Sequence, residues 1–201
     1  MIVIDPIKEH ENFAYSMFVT YPKTTQISTG CYDNKVDMLN MINMIKSNIK
    51  ERNVTNVKGG KTDWDFFNNK KEFNNFLNYL TKKYRDIHPA FDSYKWLTNI
   101  PKIAAWGNEL KKGEHVKMHI HNCFHIILYL TEGAPLVIPE LKITIKPKMG
   151  SFYIFDPYLL HGVPEVTGDE TRYNLVINLE DMPNWELSKT LLEKEKIKNS
   201  V

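Results

Sequence analysis

Two hydrophobic periods divide this chain of 201 residues. Over residues 33–49 the apolar side chains Met38, Met41, Ile42, Ile45 and Ile49 recur at helical spacing, which stacks them on one face. Asp33 or Asn34 can cap the first turn with a side-chain oxygen. The methionines in this stripe read as core packing, because a flexible thioether fills irregular gaps. Residues 71–85 predict a second helix, with Phe73, Phe76, Leu77 and Leu80 on one face. Residues 13–20 read as a strand. Gly59-Gly60 reads as a turn; no helix start or Lys-Ser/Thr pair follows to make it a phosphate loop. From Ile103 to Leu179 the character changes, and about eight short β-rich runs alternate with Gly and Pro turns. Residues 185–198 then predict a closing helix, inside a C-terminal segment of 183–199. Helices first, strands next and one helix last suggest α+β architecture, with helices packed on one face of a β-sandwich or barrel. No repeat or linker interrupts the chain, so a single domain over 1–201 is expected, with 1–100 as support and 101–180 as the β core.

Composition narrows the partners. A hydrophobic content of 42% with 25% charged residues fits a soluble globular chain. The net charge of +2 gives no electrostatic case for nucleic acid or an anionic membrane. The Lys-rich stretch 193–198 mixes both signs and reads as a solvated helix end. Two cysteines, Cys31 and Cys123, make no disulfide framework. The first residues reach Asp5 and Pro6 at once, so no signal peptide is expected, and no apolar run has the length of a membrane span. A cytoplasmic, reducing compartment with both thiols free is the default expectation.

The candidate chemistry lies in the second half. Five of the seven histidines fall within residues 115–161. Side chains two apart on a strand point the same way, so His119 and His121 can aim two imidazoles at one point. His161 can bring a third from another strand, which builds an open metal site. Imidazole suits Zn, Cu, Fe and Ni, so ligand type leaves the metal open. His115 shares the same parity but stands beside Lys117 near a turn, and reads as solvated. His125 shares it only if the strand runs unbroken past Asn122-Cys123; a structural or substrate-lining role is preferred over ligation. Cys123 reads as a buried small residue, and His10 and His88 as unrelated to the cluster. Arg172 opens the apolar run Tyr173-Asn174-Leu175-Val176-Ile177, fit for a central strand. A guanidinium there wants a carboxylate held bidentately, from a ligand or from the chain itself. Asn174 shares its face and can add a hydrogen bond.

These residues resemble the 2-oxoglutarate/Fe(II)-dependent oxygenases, and more narrowly a small bacterial and viral branch with a His-x-His first motif. The resemblance covers residues 102–179. It rests on Ala105-Trp106-Gly107-Asn108, the turn at Gly113, His119-Ile120-His121, Tyr129-Leu130, Gly150 with Phe152 to Phe155, His161-Gly162-Val163-Pro164, and Gly168 to Arg172. A weaker echo lies in residues 56–64. The resemblance implies a double-stranded β-helix, a jelly-roll or cupin-like barrel, with N-terminal helices packed on one sheet and a C-terminal helix. It implies Fe(II) held by His119, His121 and His161, and 2-oxoglutarate chelating it through the 1-carboxylate and 2-keto oxygen. The far carboxylate would meet Arg172, with Asn174, Tyr129 and Asn108 around the co-substrate and Tyr153 and His125 as further pocket candidates. The implied activity uses O2 to hydroxylate a small molecule or peptide and releases succinate and CO2; whether the chain forms a homo-oligomer stays open. One departure stands out: most of the superfamily has Asp or Glu where this chain has His121. The exchange raises the charge of the site by one and favours anionic ligands. Asp156 is the alternative third ligand.

A second resemblance is to cupins. Gly113 stands six residues before His119, giving G-x5-H-x-H, and His125 occupies the place of a cupin glutamate. The second cupin motif fits less well, since Pro157 and His161 have no glycine between them. This resemblance implies a dioxygenase or isomerase that needs no 2-oxoglutarate, or a non-catalytic ligand-binding module.

Overall fold

The computed structural model describes residues 2–4, 15–21, 23–85, 88–91 and 101–180. The closing helix expected over 183–199 and His10 lie outside them. In chain order the elements are β1 (Ile2–Ile4), β2 (Tyr15–Tyr21), β3 (Lys23–Cys31), α1 (Lys35–Ser47), β4 (Glu51–Val54), β5 (Val57–Lys61) and α2 (Lys71–Tyr84). The β core follows as β6 (Lys102–Leu110), β7 (His115–His119), β8 (Phe124–Tyr129), β9 (Leu136–Ile138), β10 (Ile143–Ile145), β11 (Ser151–Phe155), β12 (His161–Val163) and β13 (Arg172–Glu180).

Counting the eight core strands from β6, one sheet runs in the order 1-8-3-6 and the facing sheet 2-7-4-5. Consecutive strands alternate between the two sheets except β9 and β10, which pair as neighbours in the second, and this is the jelly-roll arrangement of a double-stranded β-helix. β5 extends the first sheet beside β6, and β3 and β2 extend it beyond β11. The central strand β13 pairs antiparallel with β6 over nine register positions, Arg172↔Leu110 to Glu180↔Lys102, and with β8 on its other side. No helix among the described residues is long and apolar enough to cross a membrane.

Alternation along the strands builds two cores, because successive side chains face opposite sides of a sheet. Phe124, Ile126, Leu128, Phe152, Ile154, Tyr173, Leu175 and Ile177 face the helices. There they meet Met38, Met41, Ile42 and Ile45 of α1 and Phe73, Phe76, Leu80 and Tyr84 of α2. The expected helical stripes are therefore the buried faces, with Leu77 partly buried and Tyr84 added. Asn34 caps α1, its side chain accepting from the Asp37 backbone N–H at 3.2 Å. The opposite face of the sheet turns Ile127, Tyr129, Tyr153, Phe155 and Leu110 into the barrel interior.

Gly59 and Gly60 do not form a turn; they lie within β5, and the turn stands at Thr55 and Asn56. Packing explains the glycines: a Cβ at Gly59 would collide with Leu110 and the Glu109 backbone. The turn at Gly113 is as expected, with φ of +80° that favours glycine.

Candidate metal centre

His119 is the last residue of β7 and His161 the first of β12, and the two are direct cross-strand partners. Between these strands the register shifts, with His161 opposite His119 but Val163 opposite Val116. Three residues of β7 thus span two of β12. Such a bulge re-aims the side chains that follow it. It lets both Val116 and His119 face the barrel cavity, while His115 lies in a separate surface cleft with Lys58 and Lys117. His121 stands two residues beyond the strand end. Its carbonyl accepts the Tyr158 backbone N–H at 2.6 Å, which ties this turn to the loop before His161.

The three imidazoles converge, with one ligand atom from each of His119, His121 and His161 within 4.8 Å of the others. No carboxylate joins this cluster among the described residues, so His121 and not Asp156 is its third member. His119 Nδ1 lies 2.9 Å from the Lys117 carbonyl oxygen, and His161 Nδ1 lies 2.8 Å from that of Leu159. A carbonyl only accepts, so both Nδ1 atoms carry the proton and both Nε2 lone pairs are left for a ligand. His161 Nε2 is buried with no hydrogen-bond partner. His119 Nε2 meets His121 Nε2 at 3.1 Å. Burial lowers the basicity of all three rings; it takes His161 down to about 4, helped by the His119 charge, and His121 to about 3, helped by His161 and His119. Neutral, convergent imidazoles with a buried lone pair left over fit a divalent first-row metal.

The chain turns at Asn122-Cys123 and His125 enters on β8, so it joins the cavity from the other sheet. Its ring stacks on His121, with centroids 3.8 Å apart at 12°. The Asn178 amide of β13 bridges the edges of the two rings, with Oδ1 2.7 Å from His125 Nδ1 and Nδ2 3.4 Å from His121 Nδ1. Cys123 is buried, its thiol pushed up to about 11 by burial, and both cysteines are unbonded. His88 lies apart, packed on Phe124 and Phe91.

Arg172 is 1% exposed and opens into the same cavity as the histidines. Its guanidinium sits 5.1 Å from the centre of the Tyr129 ring, its Nε has no hydrogen-bond partner, and no carboxylate pairs with it among the described residues. Burial weakens its hold on the proton, and burial likewise raises the Tyr129 phenol, against the pull of Arg172. Asn174 is the cross-strand partner of both Asn108 and Tyr129, and Asn108 that of Lys61. Lys61, Asn108, Asn174 and Tyr129 therefore form one polar row on the inner face of the sheet. The Asn108 Oδ1 is buried without a partner, and the Tyr129 hydroxyl has the Arg172 guanidinium beside it. Tyr153 is buried in the barrel interior beside Tyr129. The cavity encloses about 490 Å³ not filled by protein atoms, part of which is open solvent.

Sequence reasoning brought together the three histidines, Arg172, Asn174 and Asn108. It missed Lys61 and Trp64 as cavity residues, and Asn178 as the amide that contacts His125 and His121. Lys61 and Trp64 stood in the weaker echo at 56–64, whereas Asn178 carried no local signal beyond sharing the parity of Arg172 and Asn174.

No protein-family model and no curated protein matches the sequence. Solved structures do resemble the fold. A prolyl-4-hydroxylase of Pseudomonas putida superposes with a TM-score of 0.58 at 11% identity, over 77% of this chain and 91% of that one. The viral collagen prolyl hydroxylase of Paramecium Bursaria Chlorella virus-1, in its 2OG complex, gives 0.51 at 16% identity, over 72% and 90%. A prolyl hydroxylase of Trichoplax adhaerens, in complex with a peptide fragment of the hypoxia inducible factor oxygen degradation domain, gives 0.51 at 14% identity, over 77% and 81%. At these identities the likeness is one of fold: this chain has the jelly-roll barrel that those hydroxylases have.

Proposed function

We propose that this chain is an Fe(II)- and 2-oxoglutarate-dependent oxygenase that hydroxylates a small molecule or peptide. The observation that carries the reading is Arg172: a buried guanidinium without a carboxylate, facing the cavity that three convergent histidines share. Burying an unpaired guanidinium is costly, and a dicarboxylate bridging metal and arginine removes that cost. His119, His121 and His161 would hold the metal through Nε2. Arg172 would take the distal carboxylate of 2-oxoglutarate, with Asn174, Asn108 and Tyr129 offering polar atoms to the rest of it. Bound there, iron and 2-oxoglutarate would supply the oxidation of a C–H bond by O2 with release of succinate and CO2. The chain's own part is to fix the imidazole tautomers, orient the co-substrate and keep water out with Ile127, Leu136, Val163 and Val176 around the cavity. That the resembling structures are prolyl hydroxylases, one of them in a 2OG complex, supports this reaction class; no feature selects their substrates for this chain.

The all-imidazole donor set, with His125 stacked on His121, supports a second reading. A cupin-type metalloenzyme would use the same histidines without 2-oxoglutarate. Anaerobic addition of Fe(II) and then 2-oxoglutarate separates the two. The oxygenase reading expects a visible charge-transfer band that needs both components and disappears in Arg172→Met. Metal binding without such a band, and no succinate formed in air, would overturn it in favour of the cupin reading.

A further inference from the structure

Lys61 is the only buried lysine among the described residues, at 4% exposure. It ends β5 opposite Asn108, so its side chain turns into the barrel, where it lines the cavity of the histidines and Arg172. Its amine lies over the indoles of Trp64 and Trp106, whose ring centroids are 4.6 Å apart. No carboxylate reaches ion-pair distance of it among the described residues. Asp63, two residues on, is held by Lys50 at 2.7 Å, and Glu51 acts from across the β4–β5 ladder. Lysines are almost never buried without a partner, so this one calls for an explanation. The indole faces offset part of its lost hydration. They do not offset all of it: burial takes the amine down to about 7, against weaker upward pulls from Glu51 and Asp63. A strained cation inside a cleft marks a functional position.

The wall supplies a second, independent observation. No Asp or Glu lines this cavity; its ionic residues are Lys61 and Arg172, beside four histidines. On the proposed function, Fe(II) and Arg172 bring three positive charges, Lys61 adds one when protonated, and 2-oxoglutarate returns two negative ones. With three neutral imidazoles and no carboxylate ligand, the remaining space keeps a positive excess in a poorly solvated site. Such a site favours an anion.

We propose that Lys61, set against Trp64 and Trp106, is the subsite for a carboxylate of the organic substrate, so that the substrate is a small carboxylic acid. The amine is a single point charge over the Trp64 ring, with the Trp106 ring tilted 66° to it, and it suits one singly charged oxygen acid such as a carboxylate. Trp64 is 49% exposed and marks the side from which the acid enters. This assignment rests on the oxygenase reading for the identity of the other ligand in the cavity, with Arg172 kept for 2-oxoglutarate and Lys61 for the substrate.

The test uses the full chain loaded with Zn(II) and 2-oxoglutarate, which cannot turn over. Free amino acids, N-acetyl amino acids and short hydroxy acids are titrated beside their carboxamides, with binding read by calorimetry and ligand-observed NMR. The expected hits are acids, and their amides bind roughly 30-fold or more weakly, the loss of one buried charge pair. Lys61→Met removes the same discrimination, Lys61→Arg keeps part of it, and 2-oxoglutarate affinity stays unchanged in both. Amides binding as well as acids, no acid binding at all, or acid binding unchanged in Lys61→Met each overturns the subsite. Loss of 2-oxoglutarate affinity in Lys61→Met would overturn it too, by making Lys61 a co-substrate residue. The same titration on Zn(II) protein without 2-oxoglutarate reports on the subsite even if wild type fails to bind 2-oxoglutarate, so the two readings fail separately.

Discussion

A histidine offers Nε2 to a metal only when its proton is held at Nδ1. His119 and His161 meet that condition with the backbone carbonyls of Lys117 and Leu159. His121 depends on the Asn178 amide, which it shares with His125. An amide has one accepting and one donating end, so the two rings must take opposite tautomers whichever way it faces. With Oδ1 toward His125, the His121 proton sits on Nε2 and can be donated to His119 Nε2, 3.1 Å away. Ligation by His121 Nε2 asks for the reverse orientation, with Oδ1 accepting from His121. Asn178→Leu is therefore expected to weaken Co(II) or Fe(II) binding by about 10- to 100-fold, the usual cost of losing an outer partner. Asn178→Asp, which can accept from both rings, should not. Equal metal affinity in wild type and Asn178→Leu, measured by competition with a chelator, would remove Asn178 from the site. Arg172→Met should act elsewhere, leaving the metal in place. Its expected effect is 2-oxoglutarate binding weakened by about 30- to 5,000-fold, the equivalent of roughly 2–5 kcal/mol for a buried charge pair. An unchanged dissociation constant would sink the assignment of the co-substrate to Arg172.

At the scale of elements, the helices and the number of strands were legible because local periodicity encodes them. The stripe Met38, Met41, Ile42 and Ile45 is the buried face of α1, and β6 to β13 are the eight strands expected after Ile103. What periodicity does not encode is pairing. Nothing in Arg172 to Glu180 announces that this strand inserts between β6 and β8, or that β12 lies against β7. Strict parity alone would place His115 with His119 and His121, although its neighbour Lys117 marks it as solvated. Parity holds only on an unbroken strand, and the bulge opposite His161–Val163 breaks it, sending His115 to the surface. His121 reaches the cluster from the turn beyond β7. The glycines misread as a turn are likewise set by tertiary contact, through the close approach of β5 to Leu110. Gly107 of β6 shows what such an approach is worth. A Cβ there would collide with Ile45 of α1, inside the core that joins helix to sheet. Gly107→Val is expected to destabilise by about 1–3 kcal/mol through overpacking. A urea midpoint equal to that of wild type would show that α1 can shift without cost.

The whole molecule keeps several histidines neutral, and that makes its stability depend on pH in a definite direction. His88 is the cleanest case because it stands outside the metal cluster. It is 1% exposed between Phe91 and Phe124; its Nδ1 accepts the Ala90 backbone N–H at 3.1 Å, and its Nε2 has no partner. Burial takes it down to about 3. An unfolded histidine titrates near 6.5, so below that pH the unfolded chain takes up a proton that the folded chain refuses. No stability is lost above about pH 6.5. As the pH falls from there toward 3, the folded state loses about 1.4 kcal/mol per unit for this residue, and the loss levels off once the folded group itself protonates. His121 and His161 shift in the same direction, but a bound metal would mask them, so metal-free protein and a His88 substitution isolate the effect. His88→Asn keeps an acceptor in reach of Ala90 and cannot titrate. It should be less stable at pH 7, because the ring leaves a cavity. Its stability should nevertheless fall less steeply between pH 6.5 and 5, by about 1.4 kcal/mol per unit relative to wild type. Urea unfolding at pH 7, 6 and 5 measures both quantities. Parallel pH slopes for wild type and His88→Asn would mean that His88 takes up its proton in the folded state, through an opening of the layer between α2 and β8.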